Sequence, residues 1–270
     1  MERPPGKVSA DELVDLAVRL ADEAAELLVD GRGRPPESVA TKTSGTDMVT
    51  AVDRASERLI VDALRAARPA DAILAEEGTL DEGSTGVRWV IDPLDGTTNY
   101  LYGFPSYAVS IAAEVGGRTE VGVVADPVHG ETFVAVRGRG ATRNGTPIKC
   151  TSRSELATAL IGTGFSYDAE RRARQAAVLN SVLPVVRDIR RAGAASVDLC
   201  WIACGRLDGY YEQGLQPWDL AAGLLVAAEA GAITADSAGD AASGRLTMAS
   251  APGLFEPLRR LLASAGVTGA

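Results

Sequence analysis

The segment Trp89-Val-Ile-Asp92-Pro-Leu-Asp95-Gly-Thr-Thr-Asn99 constrains this chain more than any other stretch. Three apolar residues end in an acid, a proline stiffens the turn, and a second acid follows three residues later. It reads as a buried strand that delivers Asp92 at its C-terminal end and Asp95 just beyond. Gly96 lets the backbone approach a ligand closely, and Thr97 and Thr98 open whatever helix follows. Two hard carboxylates on a rigid turn suit Mg²⁺, which takes oxygen ligands at about 2.0–2.1 Å. The N–H groups of Gly96 and Thr97, at a helix N-terminus, suit phosphate. The alternative reading is an ordinary Asp-Gly turn capped by its own aspartates.

Other acids share this setting. Glu76-Glu77-Gly78 follows the apolar run Ile73 to Ala75, so these carboxylates also sit at a strand end. Asp219, in Gln216-Pro-Trp-Asp-Leu-Ala-Ala-Gly, starts an apolar helix, where an N-cap aspartate is commonplace. Asp47 and Asp53, in Thr46-Asp-Met-Val-Thr-Ala-Val-Asp, read equally as cap and turn residues.

Composition narrows the chemistry. One histidine in 270 residues makes His-based zinc sites improbable and leaves His129 as the sole candidate for a Ser-His-Asp or Cys-His unit. Three cysteines are no disulfide framework and suit a reducing compartment. With 27 Lys+Arg against 36 Asp+Glu, the net charge of −9 argues against nucleic-acid or anionic-membrane partners. No apolar run approaches the ~18 residues of a membrane span, and residues 1–10 lack a signal-peptide core, so a cytoplasmic protein is expected.

Periodicity gives an outline. Residues 11–29 read as an amphipathic helix with a capping box at Ser9 and Glu12, and 53–67 as a second helix. Residues 108–115, 121–125 and 132–136 read as an antiparallel meander. From about 150 the pattern alternates. Strands are expected at 159–161, 210–211, 232–235 and 246–249, and helices at 169–186, 196–203, 219–230 and 254–265. An α+β unit over 1–150 and an α/β unit over 151–270 follow, with the boundary near 145–155.

Taken together, Asp47-x-Val-Thr-x-x-Asp53, Glu76-Glu77-Gly78, Trp89-x-x-Asp92-Pro-x-Asp95-Gly-Thr-Thr-Asn-Tyr, Gly193-Ala-Ala, Trp218-Asp219-x-Ala-Ala-Gly and Glu229-Ala-Gly231 resemble the inositol monophosphatase family of Mg²⁺-dependent, lithium-sensitive phosphatases, and bacterial members in particular. The resemblance runs from Lys42 to about Gly231 and implies the layered αβαβα sugar-phosphatase fold and a homodimer. It implies that Glu76, Asp92 and the Leu94 carbonyl hold one Mg²⁺ and that Asp92, Asp95 and Asp219 hold a second. A third ion near Glu76 is left open. Asp53 and Thr97 match the pair that positions the attacking water, with Glu76 in the catalytic group as well. The Gly96 and Thr97 amides match the phosphate site. Asp95, Gly193, Ala194, Ala195 and Glu212 match the wall that recognises hydroxyls of the sugar or inositol. Lys42 matches a basic residue on the loop before Asp47.

The implied reaction is hydrolysis of a small phosphate monoester, myo-inositol monophosphate first, by in-line attack of metal-activated water. The composition is compatible with it. Uncatalysed phosphomonoester hydrolysis calls for up to roughly 10²¹-fold acceleration, while general-base help supplies about 10²–10⁴. One histidine cannot cover that gap; two metals roughly 3.5–4 Å apart can. Histidinol-phosphate, fructose-1,6-bisphosphate and adenosine 3′,5′-bisphosphate phosphatases would share the metal site. A non-catalytic phosphometabolite-binding or adaptor protein is the alternative of another class.

Some features point elsewhere. His129, in Asp126-Pro-Val-His-Gly130, reads as a surface turn residue, and Cys200 and Cys204 read as small core residues. Arg190-Arg191, before Gly193, is either a second-phosphate or subunit contact or a structural ion pair. Gln216 stands where some relatives carry His, which bears on the leaving-group pocket.

Overall fold

Small and branched residues at every third or fourth position give the first helix a flat apolar face. The structure, a computed structural model, describes residues 9–32, 39–41, 48–236 and 238–267. Lys42 and Asp47 lie outside these residues. Helix α1 (Ala10–Gly31) buries Leu13, Ala17, Leu20, Ala24 and Leu28, and the Ser9 Oγ accepts the Asp11 N–H at 3.3 Å. Strands β1 (Val39–Thr41) and β2 (Met48–Thr50) form a short antiparallel ladder that leads into α2 (Ala51–Ala67).

An eight-stranded sheet follows. Its members are β3 (Ala72–Ala75), β4 (Leu80–Asp81), β5 (Val87–Asp95), β6 (Ala108–Val115), β7 (Arg118–Asp126), β8 (Glu131–Val136), β9 (Ala141–Arg143) and β10 (Thr146–Pro147), with α3 (Thr97–Tyr102) between β5 and β6. The order across the sheet is β10-β9-β8-β7-β6-β5-β3-β4. Strands β6 to β8 form the expected meander, while β3 and β5 run parallel.

The second sheet contains β11 (Leu160–Thr163), β12 (Asp188–Arg190), β13 (Gly209–Glu212), β14 (Ile233–Ala235) and β15 (Thr247–Ser250). Its order is β12-β11-β13-β15-β14, parallel across the first three and antiparallel at the last two. Helices α4 (Ala169–Val182), α5 (Ala195–Ala203), α6 (Pro217–Glu229) and α7 (Pro252–Ser264) complete the fold. The sequence suggests a helix through Val186, but α4 ends at Val182. Pro184 cannot donate the backbone hydrogen bond that another turn needs. Edge strand β12 was not anticipated, because Asp188-Ile-Arg190 is too short and polar to show alternation.

Four apolar clusters mark the seams between five layers. Helices α1 and α2 cover one face of the large sheet through Leu20, Leu28, Ile60, Trp89 and Ile111. Helices α5 and α6 cover its other face through Val197, Cys200, Ala222 and Val226. The same two helices meet the smaller sheet through Leu199, Ile202, Leu220 and Tyr210. Residues of α7, with Val182 at the end of α4, close the far face through Leu254, Leu258 and Leu262. The order is α/β/α/β/α, as the resemblance implied.

The middle layer packs closely. A Cβ on Gly122 of β7 would stand 2.8 Å from the Ala222 carbonyl oxygen of α6, so this crossing admits only glycine. Gly122→Val should therefore cost about 1–3 kcal/mol, read as a lower urea midpoint at unchanged slope. A midpoint equal to wild type would show that α6 yields at this seam.

Candidate active site

The site begins with strand register. Parallel pairing sets Ala75 beside Ile91, so the next residues emerge side by side: Glu76 just past β3, and Asp92 within β5, which runs on to Asp95 rather than ending at Asp92 as the sequence suggests. Ligands gather at such strand ends in α/β sheets. Asp92 pairs with Ser110 and Asp95 with Ala108, so β5 carries two intervening residues where β6 carries one. This bulge at Pro93-Leu94 re-aims Asp95 without ending the strand. Asp92 Oδ1 accepts the Leu94 N–H at 3.1 Å.

Gly96 has φ +89°, and a Cβ there would meet the Ser106 carbonyl oxygen at 2.9 Å. The tight exit from β5 therefore needs glycine. Helix α3, which Thr97 opens, has only six residues. Thr97 Oγ1 lies 2.9 Å from Asp53 Oδ1 and 3.2 Å from the Leu94 carbonyl oxygen. Asp53, in the first turn of α2, is fully buried and adjoins the cavity through Thr97.

Two middle-layer helices point their N-termini at this corner. The Ser196 N–H and Oγ donate to Asp95 Oδ2 at 2.7 and 2.5 Å. Asp219 occupies the third position of α6, and its Oδ2 accepts the Gln216 N–H at 2.6 Å. The sequence suggests Asp219 as N-cap; Gln216 holds that place instead.

These residues border a cavity of about 870 Å³ lined by Glu76, Asp92, Leu94, Asp95, Gly96, Thr97, Gly193, Ala195, Glu212 and Asp219. The same cavity includes Phe165, Tyr167, Asp168, Arg191, Gln216 and Trp218. Among the described residues that line it are six carboxylates and one guanidinium. Ala194 is not on the wall. It is buried with the apolar cluster beneath α5 and packs 3.3 Å from the Cβ position of Gly96.

Electrostatics follow from this crowding. Asp92 is pushed well above the usual carboxylate range, first by burial and then by Glu76, Asp95 and Asp219. Asp219 is raised by burial and by Asp95. Asp95 is raised by burial, with the Ser196 hydrogen bonds pulling the other way. Glu212 rises to about 7 through burial, opposed by the Tyr210 hydroxyl and by Arg191. Tyr210 donates to Glu212 Oε2 at 2.5 Å.

Carboxylates crowded at strand ends are a hard-oxygen donor set. Among the described residues, no group of three or more acids, histidines or cysteines is placed to hold a metal ion by itself. An open rim remains compatible with Mg²⁺, which keeps waters and takes one or two carboxylates plus substrate oxygens. The donor set therefore fits the ion the resemblance implies.

Of the other features noted in the sequence, His129 and the cysteines lie apart from the cavity, whereas Arg191 and Gln216 line it. His129 Nδ1 stands 2.7 Å from the buried Asp126, and the ring packs edge-on to Trp201. All three cysteines are free thiols, with Cys200 buried. Arg190 and Arg191 separate: Arg190 pairs with Asp188 at 2.6 Å, whereas Arg191 lines the cavity. Ser196, Tyr210, Ser56 and Glu57 were not singled out from the sequence. Only Asp53-x-x-Ser56-Glu57 carries a signal, since i, i+3 and i+4 share one helical face.

The Inositol monophosphatase family profile matches residues 9–267. The chain belongs to that family. Within it, the inositol-1-monophosphatase SuhB of Mycobacterium tuberculosis is 45% identical over 282 residues, covering 96% of this chain and 95% of the relative. The Nus factor SuhB of Pseudomonas aeruginosa is 45% identical over 237 residues, covering 84% of this chain and 86% of the relative. Among solved structures, the extragenic suppressor protein suhB from Bartonella henselae superposes with a TM-score of 0.89 at 35% identity, over 93% of this chain and 98% of that one.

Glu212 gives this family member a testable stability signature. Its carboxyl titrates at about 7 when folded against an ordinary value of 4.5, so the folded state holds the proton more tightly. Stability contributed by this group is full below pH 4.5 and declines as pH rises toward 7. In metal-free protein, Glu212→Gln should be the more stable form at pH 8, by at most about 3 kcal/mol. Urea unfolding at pH 4 and pH 8 measures this, and a gap that does not widen with pH would refute it.

Proposed function

We propose that this chain is a Mg²⁺-dependent phosphomonoesterase whose preferred substrate is an inositol monophosphate. The observation that carries the reading is the meeting of Glu76, Asp92, Asp95 and Asp219 on one cavity wall with little cationic relief. Such a wall repels a phosphate ester unless cations stand between them. The M. tuberculosis relative's name supports inositol 1-phosphate as the first substrate to try.

In this reading Glu76, Asp92, the Leu94 carbonyl, Asp95 and Asp219 hold two or three Mg²⁺ ions. Bound there, Mg²⁺ supplies neutralisation of phosphoryl charge and acidifies water. The protein's own groups do the rest. Asp53 accepts a hydrogen bond from the Thr97 hydroxyl, which leaves the Thr97 oxygen lone pairs to orient an attacking water. The Gly96 and Thr97 amides bind phosphoryl oxygens at the tight turn. Glu212, Asp95 and the Gly193–Ala195 backbone accept or donate to substrate hydroxyls, and Ala194 contributes main chain only. Water attacks phosphorus in line with the ester oxygen, with no phosphoenzyme. We also take residues 1–150 and 151–270 as two units that close this cavity between them, and the protein as a cytoplasmic homodimer. The absence of a membrane-length apolar helix among the described residues is compatible with that.

A second reading, an adaptor that binds without turnover, is favoured by the name of the P. aeruginosa relative. Phosphate release separates the two. A panel of inositol, histidinol, fructose and nucleotide phosphates, with Mg²⁺ titrated and Li⁺ added, should show Mg²⁺-dependent, Li⁺-inhibited turnover led by inositol 1-phosphate. Inositol 1-phosphate turnover at least tenfold poorer than another member would overturn the substrate assignment. No turnover of any member would favour the adaptor. Asp95→Asn should bring phosphate release to background while keeping a cooperative thermal transition. Substantial turnover by D95N would sink the ligand assignment.

A further inference from the structure

Helix α2 carries three polar side chains on one buried face: Asp53, Ser56 and Glu57, at 0%, 0% and 7% exposure. Burying such groups is costly unless each finds a partner. Each reaches a different loop of the site. Asp53 accepts from Thr97. Ser56 Oγ donates to the Pro93 carbonyl at 2.8 Å, between Asp92 and Leu94. Glu57 Oε2 accepts the Glu77 N–H at 2.7 Å, and its Oε1 accepts from Thr79 Oγ1 at 2.6 Å. These last two bonds straddle Gly78, in the turn that presents Glu76.

We propose that Ser56 and Glu57 are positioning residues that set the divalent-cation affinity of the site, with α2 as the rigid template that fixes two ligand loops relative to each other. The proposal rests on reading Glu76, Asp92 and Leu94 as cation ligands. Neither side chain touches the cavity. Their leverage comes from adjacency: Glu57 holds the residue after Glu76, and Ser56 holds the residue that joins Asp92 to Leu94. Groups that orient metal ligands in this way change metal affinity about 10–100-fold when removed. Glu57 holds its loop by two bonds and should weigh more than Ser56. Glutamine at 57 can keep both bonds, its carbonyl accepting from Glu77 and its amide donating to a reoriented Thr79 hydroxyl.

Calorimetric titration of the full chain with Mg²⁺ tests this, beside Mg²⁺ titration of phosphate release and the metal-free thermal midpoint. Glu57→Ala should raise the Kd for Mg²⁺ about 10–100-fold and Ser56→Ala about tenfold. Turnover at saturating Mg²⁺ should stay within about threefold of wild type, and Glu57→Gln should restore near-wild-type Kd. Asp71→Asn is the control. Asp71 is equally buried at the opposite end of β5, accepting from Trp89, Thr85 and Arg68. It should lower the thermal midpoint and leave Mg²⁺ affinity unchanged. If Glu57→Ala does not fold, Thr79→Val removes one of its bonds and should raise the Kd about fivefold. Wild-type Mg²⁺ affinity in Ser56→Ala and in Glu57→Ala or Thr79→Val overturns the proposal, as does equal weakening by Asp71→Asn. Wild-type protein that binds no Mg²⁺ overturns the cation reading itself, and is distinguished because no variant is involved.

Discussion

Carboxylates gathered at one largely buried corner repel one another, and the architecture around this cavity holds them in that state. Asp92 is disfavoured as an anion by burial and then by three neighbouring acids. A core selected for stability alone would replace such a group with apolar residues or pair it with a cation. Here the partners are backbone amides and hydroxyls: Leu94 N–H for Asp92, Ser196 N–H and Oγ for Asp95, and Gln216 N–H for Asp219. These donors fix direction without supplying a full positive charge. Apart from Arg191, guanidinium groups that neutralise acids sit elsewhere, as in Arg65 with Asp81, Arg88 with Glu114 and Arg206 with Glu131. On the proposed reading, the negative charge of the cavity is left for Mg²⁺.

The layered fold explains how acids so distant in sequence meet. Strand β5 is covered on one face by α1 and α2 and on the other by α5 and α6, so its carboxyl end cannot drift. Helices α5 and α6 direct their N-termini at that end. Their partial positive charge offsets part of the repulsion around Asp95 and Asp219. The close crossing at Gly122 and Ala222 holds α6 against β7 one helical turn from Asp219. Seam packing and site geometry are therefore one constraint.

How much of this was legible in the sequence depends on range. The buried strand that carries Asp92, the meander and the apolar helices were readable because short periods record which faces are covered, although the strand runs on through a bulge to Asp95. Parallel pairing of β3 with β5 was not, although it sets Glu76 beside Asp92, because register between separated strands leaves no local trace. Ser196 looks like any small residue in an Ala-rich helix, and its role exists only because Asp95 lies across the seam. Ala194 shows the opposite error. Its motif membership suggested a wall residue, but the side chain faces the core. Edge strand β12 and the early end of α4 were missed because three polar-looking residues carry no pattern and the helical rhythm outlasts the helix.

Net charge is the plainest case of a global quantity misleading about a local one. A chain at −9 looks hostile to phosphate. Yet screening at physiological ionic strength confines a surface charge to roughly 8 Å, so distant acids barely register inside the cavity. On the proposed reading, an arriving ester meets the local balance of charge, which among the described residues is six carboxylates and Arg191. On the proposed reading two divalent ions reverse much of that balance and a third reverses more. The same acids that repel the substrate in the bare chain become the reason it is attracted once they are occupied. Phosphate affinity would then rise and fall with divalent-ion concentration, without any rearrangement of the fold.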